Sequence, residues 1–258
     1  MTVENSIRKK ILARLRALEV EKDIHILMAI ESGSRAWGIA SPDSDFDVRF
    51  IFSHPVERYL SVREPFDTIN LPIDDDLIDL SAWELRKTLN LVAKSNASPL
   101  EWTQSSIVYL DRGGFMAALG ELSEHYFQPR ACAQHYLGLT QKTWLGELQK
   151  PEFSIKKYFY ALRPLFAAMW IVEKQEKPAL SFAELRSLVQ EERVQRALDE
   201  LLIAKEKAIE AEPIRAVGIL HDFIERSYQA TLAKASNLDK RSFGMDEADQ
   251  FFRHWISK

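Results

Sequence analysis

Apolar residues follow two periodicities along the chain, one typical of strands and the other typical of helices. Residues 24–30 form a nearly continuous apolar run, and residues 46–52 form a second strand in which charged residues alternate with apolar ones. Residues 66–73 and 77–80 are the two strands of a predicted hairpin with an acidic turn. From residue 115 onward the apolar positions recur at helical spacing. Strands followed by helices predict a small sheet domain and then a helical domain.

Sequence signals for helix starts divide the remaining chain. Residues 6–19 carry a helical apolar stripe ahead of the first strand. Ser81 and Glu84 form an S-x-x-E capping box, which predicts that a helix begins directly after the hairpin. Ser154 is the predicted cap of a later helix. The predicted helices of the second part are 115–126, 130–149, 155–174, 182–188, 191–211, 214–235 and 246–257.

Composition narrows the possible classes of protein. The chain has 258 residues, 46% of them hydrophobic and 28% charged, which is ordinary for a soluble globular protein. Its formal net charge of −4 provides no overall basic field for nucleic acid. The single cysteine, Cys132, excludes an internal disulfide. No signal peptide or membrane-spanning run is visible, so we predict a cytoplasmic protein without a membrane partner.

The stretch 30–52 carries the candidate chemistry. Asp45 and Asp47 lie on either side of Phe46, so on a strand their side chains project from one face. Two unit charges about 4 Å apart repel by about 4 kcal/mol at an effective dielectric of 20. Divalent cations with oxygen ligands commonly neutralise such a pair. An Asp-x-Asp sequence alone, however, is more often a solvated strand edge than a metal site.

Two further features favour a site for a metal-bound nucleoside triphosphate. Gly33 and Ser34 form a small-residue turn before the second strand, where backbone amides can meet phosphate oxygens. Asp79 lies between Ile78 and Leu80 in a predicted strand, and a charge among apolar residues needs a partner. Asp79 is therefore the predicted third metal carboxylate. A Gly-Ser turn by itself is common, and only the order of the elements is restrictive.

This order resembles the signature of the DNA polymerase β-like nucleotidyltransferase superfamily. The segments G-S-R-A-W-G, S-D-F-D, L-R-K-T-L-N-L-V-A-K-S-N and K-K-Y-F-Y-A-L-R-P are similar to one branch, the nucleotidyltransferase family associated with RNA repair pathways, over residues 24–170. The resemblance implies an α+β fold, in which a small mixed sheet flanked by helices precedes a C-terminal helical domain. We expect a catalytic domain at 1–112 and a helical domain at 113–258 that completes the nucleotide cleft, since glycines interrupt the pattern at 111–114.

The resemblance also implies roles for individual residues. Asp45 and Asp47 would bridge two Mg²⁺ ions, with Mn²⁺ as an alternative, and Asp79 would hold the ion on the nucleophile side. Gly33, Ser34 and Arg35 would bind the phosphates of an NTP, which we expect to be ATP. The remaining expected nucleotide contacts are Lys94, Asn96, Lys156, Lys157, Tyr160 and Arg163. Without the resemblance, the face formed by Lys156, Tyr160 and Arg163 would be interpreted as a solvated helix surface.

Three functions remain open at this point. The first is transfer of a nucleoside monophosphate to an RNA end, for which basic residues near 8–16, 86–87 and 156–157 could form a local patch. The second is the same transfer to a small molecule or a protein side chain. The third is an inactive nucleotide-binding regulator of the same fold, which the presence of all three aspartates argues against.

Overall fold

The computed structural model describes residues 3–207 and 213–257. The strands are β1 His25–Glu31, β2 Phe46–Ser53, β3 Thr68–Asn70, β4 Ile78–Glu84, β5 Val108–Asp111, β6 Phe153–Ser154 and β7 Pro213–Ile214. The helices are α1 Asn5–Lys22, α2 Gly33–Ala36, α3 Val56–Tyr59, α4 Leu85–Ala93, α5 Ala97–Trp102, α6 Phe115–His125, α7 Pro129–Gly146, α8 Lys156–Lys174, α9 Phe182–Leu185, α10 Glu192–Lys207, α11 Gly218–Ser236 and α12 Asp246–Ile256. Arg186–Leu188 is a 3₁₀ turn.

Five strands form a mixed sheet in the order β3-β4-β2-β1-β5. β2 and β4 pair in parallel, and the other neighbours pair antiparallel. Apolar side chains cover both faces. On one face Ile11 and Leu15 of α1 pack with Val48 and Phe50, and on the other face Met28 belongs to a cluster with residues of α4 and α6. Burial on both faces explains why β1 is an almost continuous apolar run.

The start of the predicted helix at residue 81 is wrong. Ser81 lies within β4, which continues to Glu84 because β4 pairs with β2 along its whole length and Ala82 is buried in the core. Glu84 is instead the N-cap of α4, and its side chain accepts a hydrogen bond from the Lys87 amide. Strand pairing has overridden a local capping signal at this position.

Other predicted boundaries also differ from the structure or extend beyond its described residues. The predicted strand 66–73 is shortened to β3, which pairs only with β4. Ser154 lies in β6 rather than capping α8, which has no side-chain cap. The predicted helix 191–211 corresponds to α10, and its last residues lie outside the described part of the chain.

Contacts divide the chain into two compact units. The first comprises the chain up to Ala36, Asp45–Phe127 and the chain from Ser242 onward, and it contains the five-stranded sheet. The second comprises Trp37–Ser44 and Gln128–Arg241 and consists mainly of helices. The domain limits 1–112 and 113–258 stay a prediction. No helix within the described residues is long and apolar enough to span a membrane.

Candidate active site

Parallel pairing of β2 with β4 brings two of the predicted carboxylates together. Asp47 and Asp79 are direct partners in the register, and each side chain is about one quarter exposed. Their neighbours Val48 and Leu80 are buried in the core on the opposite face. A slip of one residue would bury the aspartates and expose those apolar side chains, so the pattern of the two strands excludes that slip.

Arg49 lies between the two carboxylates and was not predicted. Its Nη2 donates hydrogen bonds to Asp47 Oδ1 at 2.8 Å and to Asp79 Oδ2 at 2.7 Å. Its Nη1 donates to the carbonyl oxygens of Val48 at 3.2 Å and Asp79 at 3.1 Å. The guanidinium therefore offsets one of the two negative charges and holds both side chains. The available signal was its position two residues after Asp47, on the same face of the strand.

Gly33 lies against the Asp47 carboxylate at the turn after β1. Its φ of +58° belongs to the left-handed region that favours glycine. A Cβ atom at this position would also overlap the Asp47 side chain, lying 2.7 Å from Cγ. The Ser32 amide donates to the Asp47 carbonyl at 2.8 Å. The predicted phosphate-binding turn and the predicted metal ligand are thus in contact, with Ser34 half-buried in α2.

Arg35 connects the same turn to the segment around Asp45. Its guanidinium lies over the Phe46 ring at 4.0 Å, and its Nε donates to the main-chain carbonyl of Asp45 at 3.2 Å. Asp45 immediately precedes β2 and is half-buried. Gly33, Ser34, Arg35 and the three predicted carboxylates therefore all belong to the first unit.

Glu31 and Tyr109 form a hydrogen-bonded chain that reaches the backbone of Asp47. Neither residue was predicted from the sequence. Glu31 is fully buried, accepts a hydrogen bond from the Asp47 amide at 3.0 Å and accepts another from the Tyr109 hydroxyl at 2.5 Å. Burial raises the pKa of Glu31 to about 7 and also raises the pKa of Tyr109. The available signal for Glu31 was its position directly after the apolar run 24–30, where a charge at the end of a buried strand needs a partner.

The donor chemistry of the pair suits a hard cation. Asp47 and Asp79 present carboxylate oxygens, which are preferred ligands of Mg²⁺ and Mn²⁺. They already hold a positively charged nitrogen between them. Within the described residues, no group of three or more His, Cys, Asp or Glu side chains is placed to hold a metal ion. The participation of Asp45 in such a group stays a prediction.

Two predicted nucleotide contacts, Lys94 and Asn96, lie after α4. Lys94 is exposed and lines a cavity of about 350 Å³ together with Tyr59 and Glu84. Glu84 is five residues along β4 from Asp79, about 16 Å in an extended strand. The Asn96 side chain accepts a hydrogen bond from the Ser98 amide at 3.0 Å and caps α5. This cap gives Asn96 a structural role, and the nucleotide contacts of both residues stay predictions.

The remaining predicted contacts, Lys156, Lys157, Tyr160 and Arg163, lie on α8 in the second unit. Lys157 Nζ is 3.5 Å from a carboxylate oxygen of Glu147. Tyr160 is 41% exposed, with its ring edge-on to Trp37. Arg163 is only 2% exposed; it donates to the Leu180 carbonyl at 3.2 Å and lies over Trp37. Arg163 is thus enclosed within its own unit, and the nucleotide contacts of all four residues stay predictions.

A comparison with protein families identifies the chain. The model of the RlaP family, described as the RNA repair pathway DNA polymerase beta family, matches residues 7–254. The chain belongs to the RlaP family. This match confirms the predicted resemblance and, together with the observed mixed sheet and following helices, the predicted fold class. RlaP membership supports a polymerase β-like nucleotidyltransferase, and the roles of Asp47 and Asp79 stay predictions.

Individual proteins similar to this RlaP chain include one curated sequence and one solved structure. The sequence is "Uncharacterized protein YcgL" of Bacillus subtilis (strain 168), 38% identical over 233 residues, which cover 90% of this chain and 89% of that protein. The structure is a nucleotidyltransferase-like protein from Exiguobacterium sibiricum 255-15, with 13% identity and a TM-score of 0.30. The structural match covers 94% of this chain and 86% of that protein's chain.

Proposed function

We propose that this RlaP protein transfers a nucleoside monophosphate from an NTP, with ATP the expected donor, to an acceptor hydroxyl. In this reaction the acceptor oxygen forms a bond to the α-phosphorus, the bond between the α-phosphorus and the bridging oxygen breaks, and pyrophosphate leaves. The proton of the acceptor hydroxyl is released. The observation that carries the proposal is that Asp47 contacts the Gly33 turn and pairs with Asp79 in a chain of this family.

The residues of the turn would bind the triphosphate. The absence of a side chain at Gly33 leaves room for the Asp47 carboxylate and exposes backbone amides, and the Ser34 hydroxyl adds a donor. Arg35 would supply positive charge beside the phosphates, since its guanidinium is held in place by Phe46 and the Asp45 carbonyl. These groups orient the triphosphate so that attack at the α-phosphorus is in line with the leaving group.

The carboxylates would hold the divalent cations. Asp45, Asp47 and Asp79 are the proposed ligands for Mg²⁺ or Mn²⁺, which when bound lower the pKa of an attacking hydroxyl and neutralise charge on the leaving pyrophosphate. Glu31 fixes the backbone of Asp47 through the hydrogen bond that it accepts from the Asp47 amide. Tyr109 fixes Glu31 in turn, so the position of Asp47 depends on a buried hydrogen-bonded chain.

The acceptor could be an RNA end or a smaller molecule. The family description favours RNA. A second observation favours an acceptor that needs no broad basic surface, because each predicted basic patch contains cations paired with acids. Lys10 and Arg14 pair with Asp76, Lys87 pairs with Asp67, and Lys157 pairs with Glu147. We therefore retain a small molecule or a protein side chain as the second candidate acceptor.

A labelling experiment tests the proposed transfer. Each α-³²P-labelled NTP is incubated with the protein, Mg²⁺ or Mn²⁺ and one acceptor class: RNA with free 3′ ends, the protein itself, or hydroxyl-bearing small molecules. We expect label on one class, and loss of labelling in Asp47→Asn. Asp75→Asn is the matched control, since Asp75 is exposed in the acidic turn before β4. Absence of label on every acceptor, or full labelling by Asp47→Asn, would contradict the proposal.

A further inference from the structure

We propose that Arg49 is a built-in counter-ion that holds the Asp47–Asp79 pair until a divalent cation displaces its Nη2 group. This inference rests on the proposed function, because that function requires the pair to take a cation. It makes Arg49 a positioning residue that sets how readily the site accepts metal. Three observations support it: the position of Arg49 Nη2 between the carboxylates, the hydrogen bonds of Nη1 to main-chain carbonyls, and the negative charge of the two aspartates.

The nitrogen atom Nη2 occupies the space between the two carboxylates. It lies 2.8 Å from Asp47 Oδ1 and 2.7 Å from Asp79 Oδ2, so a single positive group is shared by both side chains. A metal ion liganded by these same two oxygens would need that position. Two cationic groups cannot lie between the same pair of oxygens, because they overlap and repel each other. Binding of a metal ion between these two oxygens and the Nη2 contacts are therefore mutually exclusive.

The backbone contacts of Arg49 allow an exchange without loss of the whole side chain. Its Nη1 donates to the carbonyls of Val48 and Asp79, and neither bond involves a carboxylate. These two bonds can persist when Nη2 leaves. A lysine could not do the same, because its ammonium is a point charge without the planar fork of a guanidinium. Nη2 of Arg49 therefore contacts the carboxylates, and Nη1 contacts main-chain carbonyls.

The negative charge of Asp47 and Asp79 links the replacement of Arg49 Nη2 by a cation to stability and metal affinity, which can both be measured. Without Arg49, two facing carboxylates would repel each other in the metal-free protein. A divalent cation would then relieve more repulsion and would no longer compete with a guanidinium. Because ligand binding to the folded state stabilises it, removal of Arg49 should lower stability without metal and increase the stabilisation that metal provides.

The test measures metal binding and stability in wild type, Arg49→Gln and the matched control Arg112→Gln. Arg112 is a partly exposed arginine of the same unit that pairs with Glu19. Thermal unfolding is followed in EDTA and in a series of Mn²⁺ concentrations, and Mn²⁺ affinity is measured by electron paramagnetic resonance. For Arg49→Gln we expect a lower Tm in EDTA, Mn²⁺ binding tighter by about tenfold and a larger Mn²⁺-induced rise in Tm. Arg112→Gln should leave the Mn²⁺ affinity unchanged.

Two further variants keep the test decisive. If Arg49→Gln does not fold without metal, Arg49→Met should still bind Mn²⁺ more tightly than wild type, because it keeps a long side chain but lacks the competing positive charge. Asp79→Asn should remove most of the Mn²⁺-induced rise in Tm, which locates the ion at the pair. Mn²⁺ affinity that is unchanged or weaker in a folded Arg49 variant would overturn the inference.

The readouts separate this inference from the proposed transfer. If Arg49→Gln tightens Mn²⁺ binding but no NTP is ever transferred, the counter-ion role stands and the proposed function fails. If label is transferred but the Arg49 variants bind Mn²⁺ like wild type, the function stands and the counter-ion role fails.

Discussion

At the scale of single residues, Gly33 is constrained twice, by its backbone dihedral and by the carboxylate beside it. Gly33→Ala would place a Cβ in the left-handed region and against Asp47. Gly114 provides a matched control, because it has a φ of +76° but no atom within 4 Å of the point that a Cβ would occupy. The comparison separates backbone strain from steric displacement of the carboxylate.

We expect both alanine variants to lose about 1–2 kcal/mol of unfolding free energy from backbone strain. Only Gly33→Ala should also displace Asp47 and lower nucleotidyl transfer, by about 100-fold or more, since misplacement by 1 Å can have that effect. Urea denaturation and initial rates with labelled NTP measure the two quantities. Equal transfer rates in the two variants would show that the Gly33–Asp47 contact has no role in the reaction.

Glu31 predicts a pH dependence of stability. Burial raises its pKa from 4.5 to about 7, so between these values the folded protein binds a proton that the unfolded chain has released. The contribution of Glu31 to stability is present below pH 4.5 and is lost as the pH rises through 7. The shift corresponds to about 3 kcal/mol.

Glu31→Gln should remove this pH dependence, because an amide can still accept from the Asp47 amide and hydrogen-bond with Tyr109. Urea denaturation of both proteins in EDTA at pH 5, 6, 7 and 8 measures the effect. The stability of wild type relative to Glu31→Gln should fall across this series. A constant difference would contradict a raised pKa at Glu31.

Sequence patterns singled out Asp47 and Asp79 but did not predict what these residues contact. Asp47 was singled out with Asp45 as an Asp-x-Asp pair on one face of a strand, and Asp79 as a charge between two apolar residues. Their pairing with Arg49 depends on the register of β2 against β4, and the two aspartates are direct partners only in that register. The alternation of apolar and polar residues excludes a slip of one residue but not of two, so it does not specify the offset that brings Arg49 to Asp79, and the counter-ion was missed.

At the scale of secondary structure, strand pairing at the end of β4 overrides the S-x-x-E signal for the start of a helix. The S-x-x-E sequence is a valid capping box, but Ser81 pairs with Asn70 of β3 and Arg49 of β2 in the sheet. Glu84 both caps α4 and accepts a hydrogen bond from the Tyr59 hydroxyl at 2.6 Å. The strand therefore ends, and the helix begins, at Glu84.

Substitutions at these two positions should have unequal effects. Glu84→Ala should lower the unfolding free energy by about 1–2 kcal/mol, because the cap of α4 and the partner of Tyr59 are both removed. Ser81→Ala removes an exposed hydrogen bond to Asn70 and should change stability by less than about 0.5 kcal/mol. Equilibrium urea denaturation measures both. A similar loss in the two variants would support the capping box that the sequence suggested.

At the scale of the whole molecule, the order of strands and helices predicted the fold class, and the family match confirmed it. Long-range packing was not predictable in the same way. The terminal helix α12 packs in the sheet unit, where the Trp255 ring lies 4.8 Å from Phe115. These residues are far apart in sequence, and an amphipathic pattern specifies that a face is buried without specifying its partner.

The charge distribution predicts a weak dependence of RNA binding on salt. The net charge is −4, and Lys10 and Arg14 of α1 are paired with Asp74 and Asp76, so only part of the positive charge on α1 is available to phosphates. The slope of log Kobs against log salt concentration should be no steeper than about −2, which corresponds to about three phosphate contacts on a single strand.

Fluorescence anisotropy with labelled RNA at several salt concentrations measures this slope. The double variant Asp74→Asn/Asp76→Asn releases Lys10 and Arg14 and should steepen it. A slope much steeper than about −2 in wild type would indicate a basic surface formed by other residues and would favour RNA as the acceptor.

The parallel pairing of β2 with β4 also has a consequence for the order of events in folding. Asp47 and Asp79 are 32 positions apart and meet only when the intervening chain, which includes β3, has been placed. Such non-local contacts form late, because loop closure precedes them. A cation at the pair should therefore leave the refolding rate nearly unchanged and slow unfolding instead, as stopped-flow kinetics with and without Mn²⁺ can measure. Metal binding would lengthen the lifetime of the folded state without changing how fast the chain folds.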